Sequence, residues 1–561
     1  MMFLSRSQCL ASVTAVAVIV LAGCSATKNG PTTPAGTPAL FREAAAATGL
    51  VFSHQTGAKG DFAMPEIMGA GVALLDMDGD GDLDVYLVQS VGPGKLFRNE
   101  LVPGGKLSFT DVTAESGITY NGYGIGAATG DIDQDGDLDL LITGYGSRAL
   151  YRNDGAGKFT ELPLPPTPVP HQWSSSASFF DYDRDGRLDL VILSYVNFTR
   201  EGNKKCQAPT GEPDYCTPRA YASVAARLYH NEGGRFTDVT TKSGLDQALG
   251  PGLGVAAADL NGDGWPDLFV ANDTAANHVW INQRDGTFKQ LGIESGAAYS
   301  EDGLAKAGMG VAVGDYDQDG DDDLFVVNLM REGSTLYRNE GAAPNGWPTF
   351  LDVTRATGLY PITFAFTGFG TDWFDYDNDG ALDLFIANGA VTLREEQRGQ
   401  PRPFREKNLL IRGDGRGKFT DQSAAAGPAF AVDEISRGAA FGDLDNDGDT
   451  DIVVTSNGGP ARLLLNESAR QNYLQVKLEA PVTAGALVTV YREDLRPLLR
   501  RMHTDSSYAS ASDARLHFGL GDKPVISRIE VQWPNGARQT FPAPAAVNRV
   551  VTLQLSGPPK K

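Results

Sequence analysis

The sequence predicts an all-β protein built as a seven-bladed β-propeller, and three observations carry that prediction. A nonapeptide, DxDxDGxxD, recurs seven times through the middle of the 561-residue chain, and only the fourth copy departs, with Asn261 in the third position. An apolar run of strand length follows every copy. The copies recur in units of roughly 50 to 80 residues, each with room for about four short strands, which is the size of a propeller blade. A solenoid uses the same one-dimensional repetition and ranks second, because a ring leaves no exposed ends to cap.

The chain opens on an export signal. Arg6 precedes an apolar run over residues 10–22 that is too short to span a bilayer as a permanent helix, and the run ends in Leu21-Ala22-Gly23-Cys24. A cysteine directly after small residues reads as a bacterial lipoprotein processing site. Residues 1–23 are then removed, Cys24 carries the lipid, and residues 24–39, rich in Ser, Thr, Pro and Gly, form a flexible tether. An ordinary cleaved signal with an incidental cysteine is the alternative, and export follows from both. With Cys9 removed and Cys24 lipidated, Cys206 and Cys216 remain as a pair, and an oxidising compartment allows their disulfide. No CxxC spacing or His-rich neighbourhood supports zinc or thiol redox chemistry.

The nonapeptide copies span residues 76–84, 131–139, 181–189, 259–267, 315–323, 375–383 and 443–451. Position 6 is always Gly, where the chain must turn sharply. Oxygens at positions 1, 3, 5 and 9 are spaced to converge on one hard cation, and the backbone carbonyl of position 7 can join them. The side-chain donors are Asp76, Asp78, Asp80 and Asp84; Asp131, Asp133, Asp135 and Asp139; Asp181, Asp183, Asp185 and Asp189; Asp259, Asn261, Asp263 and Asp267; Asp315, Asp317, Asp319 and Asp323; Asp375, Asp377, Asp379 and Asp383; and Asp443, Asp445, Asp447 and Asp451. The position-7 residues, Asp82, Asp137, Arg187, Trp265, Asp321, Ala381 and Asp449, share no chemistry, as expected where only the main chain is used. Such a flexible, oxygen-rich cage suits calcium better than magnesium, and up to seven Ca2+ ions are expected. An EF-hand opens similarly but needs a bidentate Glu at position 12 and flanking helices. Position 12 is instead Leu87, Ile142, Ile192, Val270, Val326, Ile386 or Val454, inside runs such as VYLV, LLIT and IVVT that read as strands covered on both faces.

Each unit opens with a Phe-x-Asp-like segment, at Phe41, Phe109, Phe159, Phe236, Phe288, Phe350 and Phe419. Closings of the Leu-Tyr-Arg-Asn type end at Asn99, Asn153, Asn231, Asn339 and Asn466. The most irregular stretch is an insert over residues 196–226, which carries Cys206 and Cys216. Its Lys204, Lys205, Tyr215, Arg219 and Tyr221 offer cationic and aromatic contacts to a ligand, while a disulfide-closed structural flap is the competing reading. Trp173, Trp265, Trp280, Trp347 and Trp373 either stack on sugar rings or, as large aromatics usually do, pack between blades.

Seven acidic loops between apolar strands resemble the calcium-binding FG-GAP/VCBS propeller repeat, over residues 40–468. The tail, residues 469–557, is similar to the ASPIC/UnbV domain through Tyr473-Leu474-Gln475-Val476-Lys477-Leu478, Arg515-Leu516-His517-Phe518-Gly519-Leu520-Gly521 and Val531-Gln532-Trp533-Pro534-Asn535-Gly536. Together they resemble bacterial members of the cartilage acidic protein family. That resemblance implies a seven-bladed β-propeller with a small C-terminal β domain in an exported protein. One departure is the stretch Asp505-Ser506-Ser507-Tyr508-Ala509-Ser510, which is poorer in Gly than the family's pattern.

Against 48 Lys and Arg stand 70 Asp and Glu, a net charge of -22 that removes the electrostatic basis for gripping nucleic acid. Outside the loop carboxylates, bases slightly outnumber acids, so the acidity is concentrated where divalent ions would bind. No HExxH or GxxxxGK[ST] motif occurs. Gly122-Tyr123-Gly124-Ile125-Gly126 imitates part of a dinucleotide fingerprint, but an acidic loop follows instead of a helix, and a turn before a blade strand is expected. His54 and Glu66 form either a general acid/base pair or hydrogen bonds that fix the first strand. The expected function is a lipid-anchored, extracytoplasmic calcium-binding scaffold for a protein or glycan ligand, on the inner or outer membrane of a bacterial cell envelope. The alternative is a calcium-dependent enzyme acting on polysaccharide, with the metal loops structural.

Overall fold

Every apolar run that follows an acidic loop is the second strand of a four-stranded antiparallel blade, and the first blade's sheet is extended by the short strands Asp505–Ser506 and Ser510–Ala511, the latter parallel to Val72–Leu75. In the first sheet the loop joins Val72–Leu75 to Asp84–Leu87, which pairs in turn with Lys95–Asn99 and Phe109–Asp111. Six more sheets repeat this order, with first strands Tyr123–Gly130, Ser174–Phe180, Gly252–Ala258, Val311–Gly314, Gly368–Phe374 and Ser436–Gly442. Each first strand contacts the next around the circle, and Ser436–Gly442 returns to Val72–Leu75. A blade in this ring has a neighbour on both faces, which is why runs such as Leu140-Leu141-Ile142 are apolar throughout and fully buried. The computed structural model describes residues 39–167, 169, 171–393, 399, 403–469 and 471–556. The export signal, Cys24 and the tether through residue 38 lie outside these.

The blades are staggered by one strand against the sequence units. Each Phe-x-Asp segment is the fourth strand of the blade before it: Phe109 pairs with Asn99, Phe159 with Asn153 and Phe236 with Asn231. Phe41–Glu43 accordingly completes the last blade by pairing with Arg462–Asn466, so a sheet ladder joins the two ends of the repeat array. That pairing removes two strand edges that would otherwise be open to association.

A second clasp comes from the closing asparagines. Each side-chain amide donates to the position-2 carbonyl of the preceding blade's loop: Asn153 Nδ2 to Met77 O at 3.0 Å, Asn231 to Ile132 O at 2.9 Å, Asn282 to Tyr182 O at 2.7 Å, Asn339 to Leu260 O at 3.0 Å and Asn466 to Tyr376 O at 2.8 Å. Asn99 closes the ring by donating to Leu444 O of the last blade at 2.9 Å. In blade 6 the equivalent residue is Gly413, which has no side chain to donate.

The C-terminal domain belongs to the same compact unit as the blades. A three-stranded sheet (Asn472–Glu479, Leu516–Gly521, Val550–Gln554) and a four-stranded one (Leu487–Arg492, Leu498–Arg501, Ile526–Gln532, Arg538–Pro542) supply its own core, which includes Val476, Val488, Phe518, Val531 and Trp533. Between Leu498–Arg501 and Leu516–Gly521 the chain leaves this domain as a finger and enters the propeller axis. There it meets all seven first strands. Val72 N donates to Ser510 Oγ (3.2 Å), Ala127 N to Ala509 O (3.0 Å), Ala257 N to Asp505 Oδ2 (3.0 Å), Val311 N to Ser507 O (3.1 Å), Thr371 N to Ser507 Oγ (3.1 Å) and Phe441 N to Ser512 Oγ (3.2 Å), while Ala509 N donates to Ser176 Oγ (3.0 Å). The innermost strands of a ring have no further strand to bond, so the finger satisfies backbone groups that would otherwise need water. It also explains the glycine at position 126. Tyr123–Gly130 is strand from its start rather than a turn before one, and a Cβ at Gly126 would stand 2.8 Å from Ala509 Cβ.

Candidate metal loops and the two propeller faces

The seven loops share one internal geometry. The position-9 carboxylate is buried and ties the loop at both ends: Asp84 Oδ2 accepts from Met77 N (2.9 Å) and Oδ1 from Asn99 N (2.8 Å), and Asp139, Asp189, Asp267, Asp323, Asp383 and Asp451 repeat the pattern. Position 1 accepts from the backbone around the Gly turn, as in Asp375 Oδ2 with Gly380 N at 2.7 Å and Asp443 Oδ2 with Gly448 N at 3.0 Å. Position 5 accepts from position-7 N–H, for example Asp379 Oδ1 from Ala381 N at 2.8 Å. These bonds turn the remaining oxygens inward. Single donor atoms of Asp76, Asp78 and Asp84 lie within 4.8 Å of one another, as do those of Asp131, Asp133 and Asp139 and of Asp315, Asp317 and Asp323.

The same position-3 oxygen is left without a partner in four loops: Asp78, Asp317, Asp377 and Asp445 each have a buried Oδ1 that meets no donor. Asp76 Oδ1 at position 1 is in the same state. Burial, reinforced by neighbouring carboxylates, pushes Asp84, Asp139 and Asp375 up to about 8 and Asp189 to about 9, and raises Asp267, Asp323, Asp383 and Asp451 well above the carboxylate range. Crowded, dehydrated carboxylates with orphaned oxygens are what a bound divalent cation would relieve, and an all-oxygen donor set fits a hard ion. The loops therefore could hold metal ions.

The C-terminal domain caps the loop-bearing face unevenly. It reaches loops 5 to 7 directly, through Arg501 to Asp322, Gln471 Nε2 to Asp377 O (2.9 Å), Gln475 Nε2 to Asp443 Oδ2 (2.8 Å) and Arg515 Nη2 to Asp443 O (3.1 Å). Over loops 1 and 2 a cavity of about 810 Å³ opens instead, with Asp76, Asp131, Asp137, Lys477 and Arg515 in its wall. A second, of about 790 Å³, adjoins loops 2 and 3.

The insert lies on the opposite face, since it follows Asp189–Ser194 where the loop precedes that strand. A disulfide joins Cys206 and Cys216, and Cys206–Gln207 pairs with Pro213–Asp214. The five proposed contact residues are engaged within this face. Lys204 N donates to Tyr221 OH (3.0 Å), and the Lys204 ammonium sits over the Tyr221 ring and donates to Ala220 O. Lys205 Nζ donates to Asp61 O (3.2 Å), Arg219 Nη2 to Thr274 O (3.1 Å), and Tyr215 packs against Phe62 and Phe404. Of the tryptophans, Trp173, Trp280 and Trp373 are buried, while Trp265 and Trp347 lie under Arg184 and Lys289.

His54 and Glu66 share no hydrogen bond. His54 Nε2 meets Ser90 Oγ at 2.9 Å and Nδ1 accepts from Gly458 N at 3.2 Å, and burial lowers the imidazole to about 4, so it is a neutral tie between blades. Glu66 is buried with both carboxylate oxygens unbonded, and its nearest cation is Arg200 of the insert at 3.9 Å. Sequence reasoning missed three features: the inter-blade role of the closing asparagines, the axial finger, and the fully buried Arg437. Arg437 donates to the carbonyls of Ile67, Gly389, Ser436 and Ala390. The repeated Asn was the one visible signal among these; bonds to backbone carbonyls leave no trace in sequence.

The FG-GAP-like repeat profile matches residues 76–142, 131–192, 211–270, 259–326 and 315–386, together just over half of the chain, and the ASPIC and UnbV profile matches residues 480–559. Cartilage acidic protein 1 of Xenopus tropicalis is 25% identical over 504 residues, covering 84% of this chain and 71% of that protein. Its Homo sapiens counterpart is 25% identical over 500 residues, covering 84% and 70%. Among solved structures, an Agrocybe aegerita lectin that recognises non-reducing terminal N-acetylglucosamine aligns at 18% identity with a TM-score of 0.37, covering 62% of this chain and 77% of that one.

Proposed function

Because the chain belongs to the FG-GAP-like repeat family and carries an ASPIC and UnbV domain, we propose that it is a calcium-stabilised binding scaffold of the bacterial cell envelope. Lipid on Cys24 holds it on the extracytoplasmic side of a membrane, and the insert face takes a protein or glycan ligand. The observation that carries the calcium reading is the orphaned position-3 oxygen, repeated in four loops. The fold supports a scaffold because the finger fills the axis, where many propellers would offer a channel, and leaves the faces as the available surfaces.

For sites with a dissociation constant of about 0.1 to 1 mM, about 1 mM calcium contributes roughly 0.4 to 1.4 kcal/mol each, or about 3 to 10 kcal/mol over seven independent sites. Melting in calcium against melting in excess EDTA tests this directly, and an unchanged melting temperature would refute it. The ligand half is tested by deleting residues 202–218, confirming that calcium-dependent melting persists, and comparing binding to envelope glycans and proteins. Equal binding by both forms removes the insert from the site.

A further inference from the structure

Loop 3 differs from its siblings in the side chain that the closing strand sends into it. The residue before the closing position is Arg98, Arg152, Arg338 and Arg412 in blades 1, 2, 5 and 6, Ile281 and Leu465 in blades 4 and 7, and His230 in blade 3. Strand pairing carries this imidazole into the carboxylate set. His230 Nδ1 lies 3.0 Å from Asp189 Oδ1 and 3.5 Å from Asp183 Oδ2, and one donor atom each from Asp183, Asp189 and His230 falls within 4.8 Å of the others. The Tyr182 ring stands edge-on to the imidazole at 6.1 Å and limits its movement away from the loop.

The rest of loop 3 also departs from an oxygen-only cage. Arg187, at position 7, donates to Asp185 Oδ2 and to Asn231 O, which occupies one oxygen of the position-5 carboxylate. Arginines reach position 5 in loops 4 and 6 as well, so the imidazole is what sets loop 3 apart. An imidazole nitrogen is a donor of intermediate softness that calcium seldom uses and that zinc, cobalt and nickel favour. Nδ1 of His230 with carboxylate oxygens of Asp183 and Asp189 gives one nitrogen and two oxygens within reach of one ion, and Asp181, whose donor atom clusters with those of Asp183 and Asp185, is available as the fourth ligand of a four-coordinate site. With Nδ1 bare for the ion, the proton sits on Nε2, which faces Asp185 Oδ2 at 3.9 Å.

We propose that loop 3 together with His230 is a site for a divalent transition-metal ion of the zinc class, distinct from the oxygen-only loops. This rests on the reading of the loops as ion sites but not on which ion the other six take.

Cobalt is the probe, because its visible absorption reports four-coordinate nitrogen–oxygen ligation. The full chain, freed of transition metals and kept in excess calcium, should bind one equivalent of Co2+ with a visible band that Zn2+ abolishes and calcium does not. His230→Arg restores the sibling residue, and His230→Gln keeps an amide donor for Asp189 without the imidazole nitrogen. Both variants should lose the band and at least about tenfold in cobalt affinity while keeping the melting shift on calcium removal. No band at one equivalent, displacement of cobalt by calcium, or the same band in either variant would overturn the proposal and leave a histidine–aspartate hydrogen bond only. Absence of any melting shift on chelation would count against the calcium reading instead, independently of the cobalt result.

Discussion

Tyr508 is the side chain on which the finger's seating can be measured. It is fully buried at the axis, its ring meets Phe369 edge-on with centroids 4.9 Å apart, and its hydroxyl donates to Met68 O at 3.3 Å. Truncating a buried aromatic to alanine costs about 3 to 5 kcal/mol through lost transfer energy and the cavity left behind. Removing the hydroxyl alone costs about 1 kcal/mol. With an unfolding entropy of about 2.1 cal/mol/K per residue, a folded unit of roughly 500 residues has about 1 kcal/mol/K in all, so Tyr508→Ala should lower Tm by about 3 to 5 °C and Tyr508→Phe by about 1 °C. Differential scanning calorimetry in saturating calcium is the assay, with both variants compared at one protein concentration. A Tyr508→Ala protein melting within about 1 °C of the parent would show that the finger is not part of the cooperative core, and the seven backbone contacts along it would then carry no stability.

Four further outcomes are expected. Asn231→Ala removes the donors to Ile132 O and Leu188 O, at 2.9 and 3.0 Å, and leaves two buried carbonyls unpaired; a loss of about 2 to 4 kcal/mol is expected, and an unchanged melting temperature would exclude the clasp. Position-9 carboxylates such as Asp84 and Asp139, raised to about 8 from 3.8, bind more protons folded than unfolded, so the chelated protein should lose stability as pH rises from about 4 to about 8. Calcium should flatten that slope by holding the carboxylates ionised, and parallel pH profiles with and without EDTA would contradict this. Cys24→Ser should yield unprocessed or soluble protein on membrane fractionation, whereas membrane-bound protein of mature length would exclude the lipid anchor. Arg437→Met should fall by about 3 kcal/mol or more in chemical denaturation, because four carbonyls from three segments lose their shared donor; a neutral result would mean that water replaces it.

How far the sequence reveals this molecule depends on whether a contact is encoded within one unit or between units. The acidic loops and second strands were legible because their signal is local: Asp84 bonds Met77 and Asn99 inside a single repeat, and Val85, Tyr86 and Leu87 follow at once. Blade boundaries were not, because the fourth strand pairs backward across each apparent unit, and for Phe41 the partner, Asn466, stands at the other end of the array. The finger escaped notice for a related reason. Apart from the Asp505 carboxylate its bonds run through main-chain groups and small hydroxyls, and the Ser- and Ala-rich composition that looked like a departure from the family's pattern is what lets residues 505–512 pass along a closed axis. His230 is the one histidine at a closing position that is otherwise Arg, Ile or Leu, but 41 residues separate it from Asp189, and only strand pairing brings the two to 3.0 Å. The same geometry separates the two binding faces. The insert and loop 3 sit at opposite ends of Asp189–Ser194, so chelation should weaken binding at the insert only as far as the blade itself loosens. A ligand lodged in the cavity above loops 1 and 2 would lose part of its wall at once, because Asp76 and Asp131 belong both to that wall and to the loops. Binding measured as calcium is withdrawn, below the onset of melting, therefore distinguishes the two faces without a mutation.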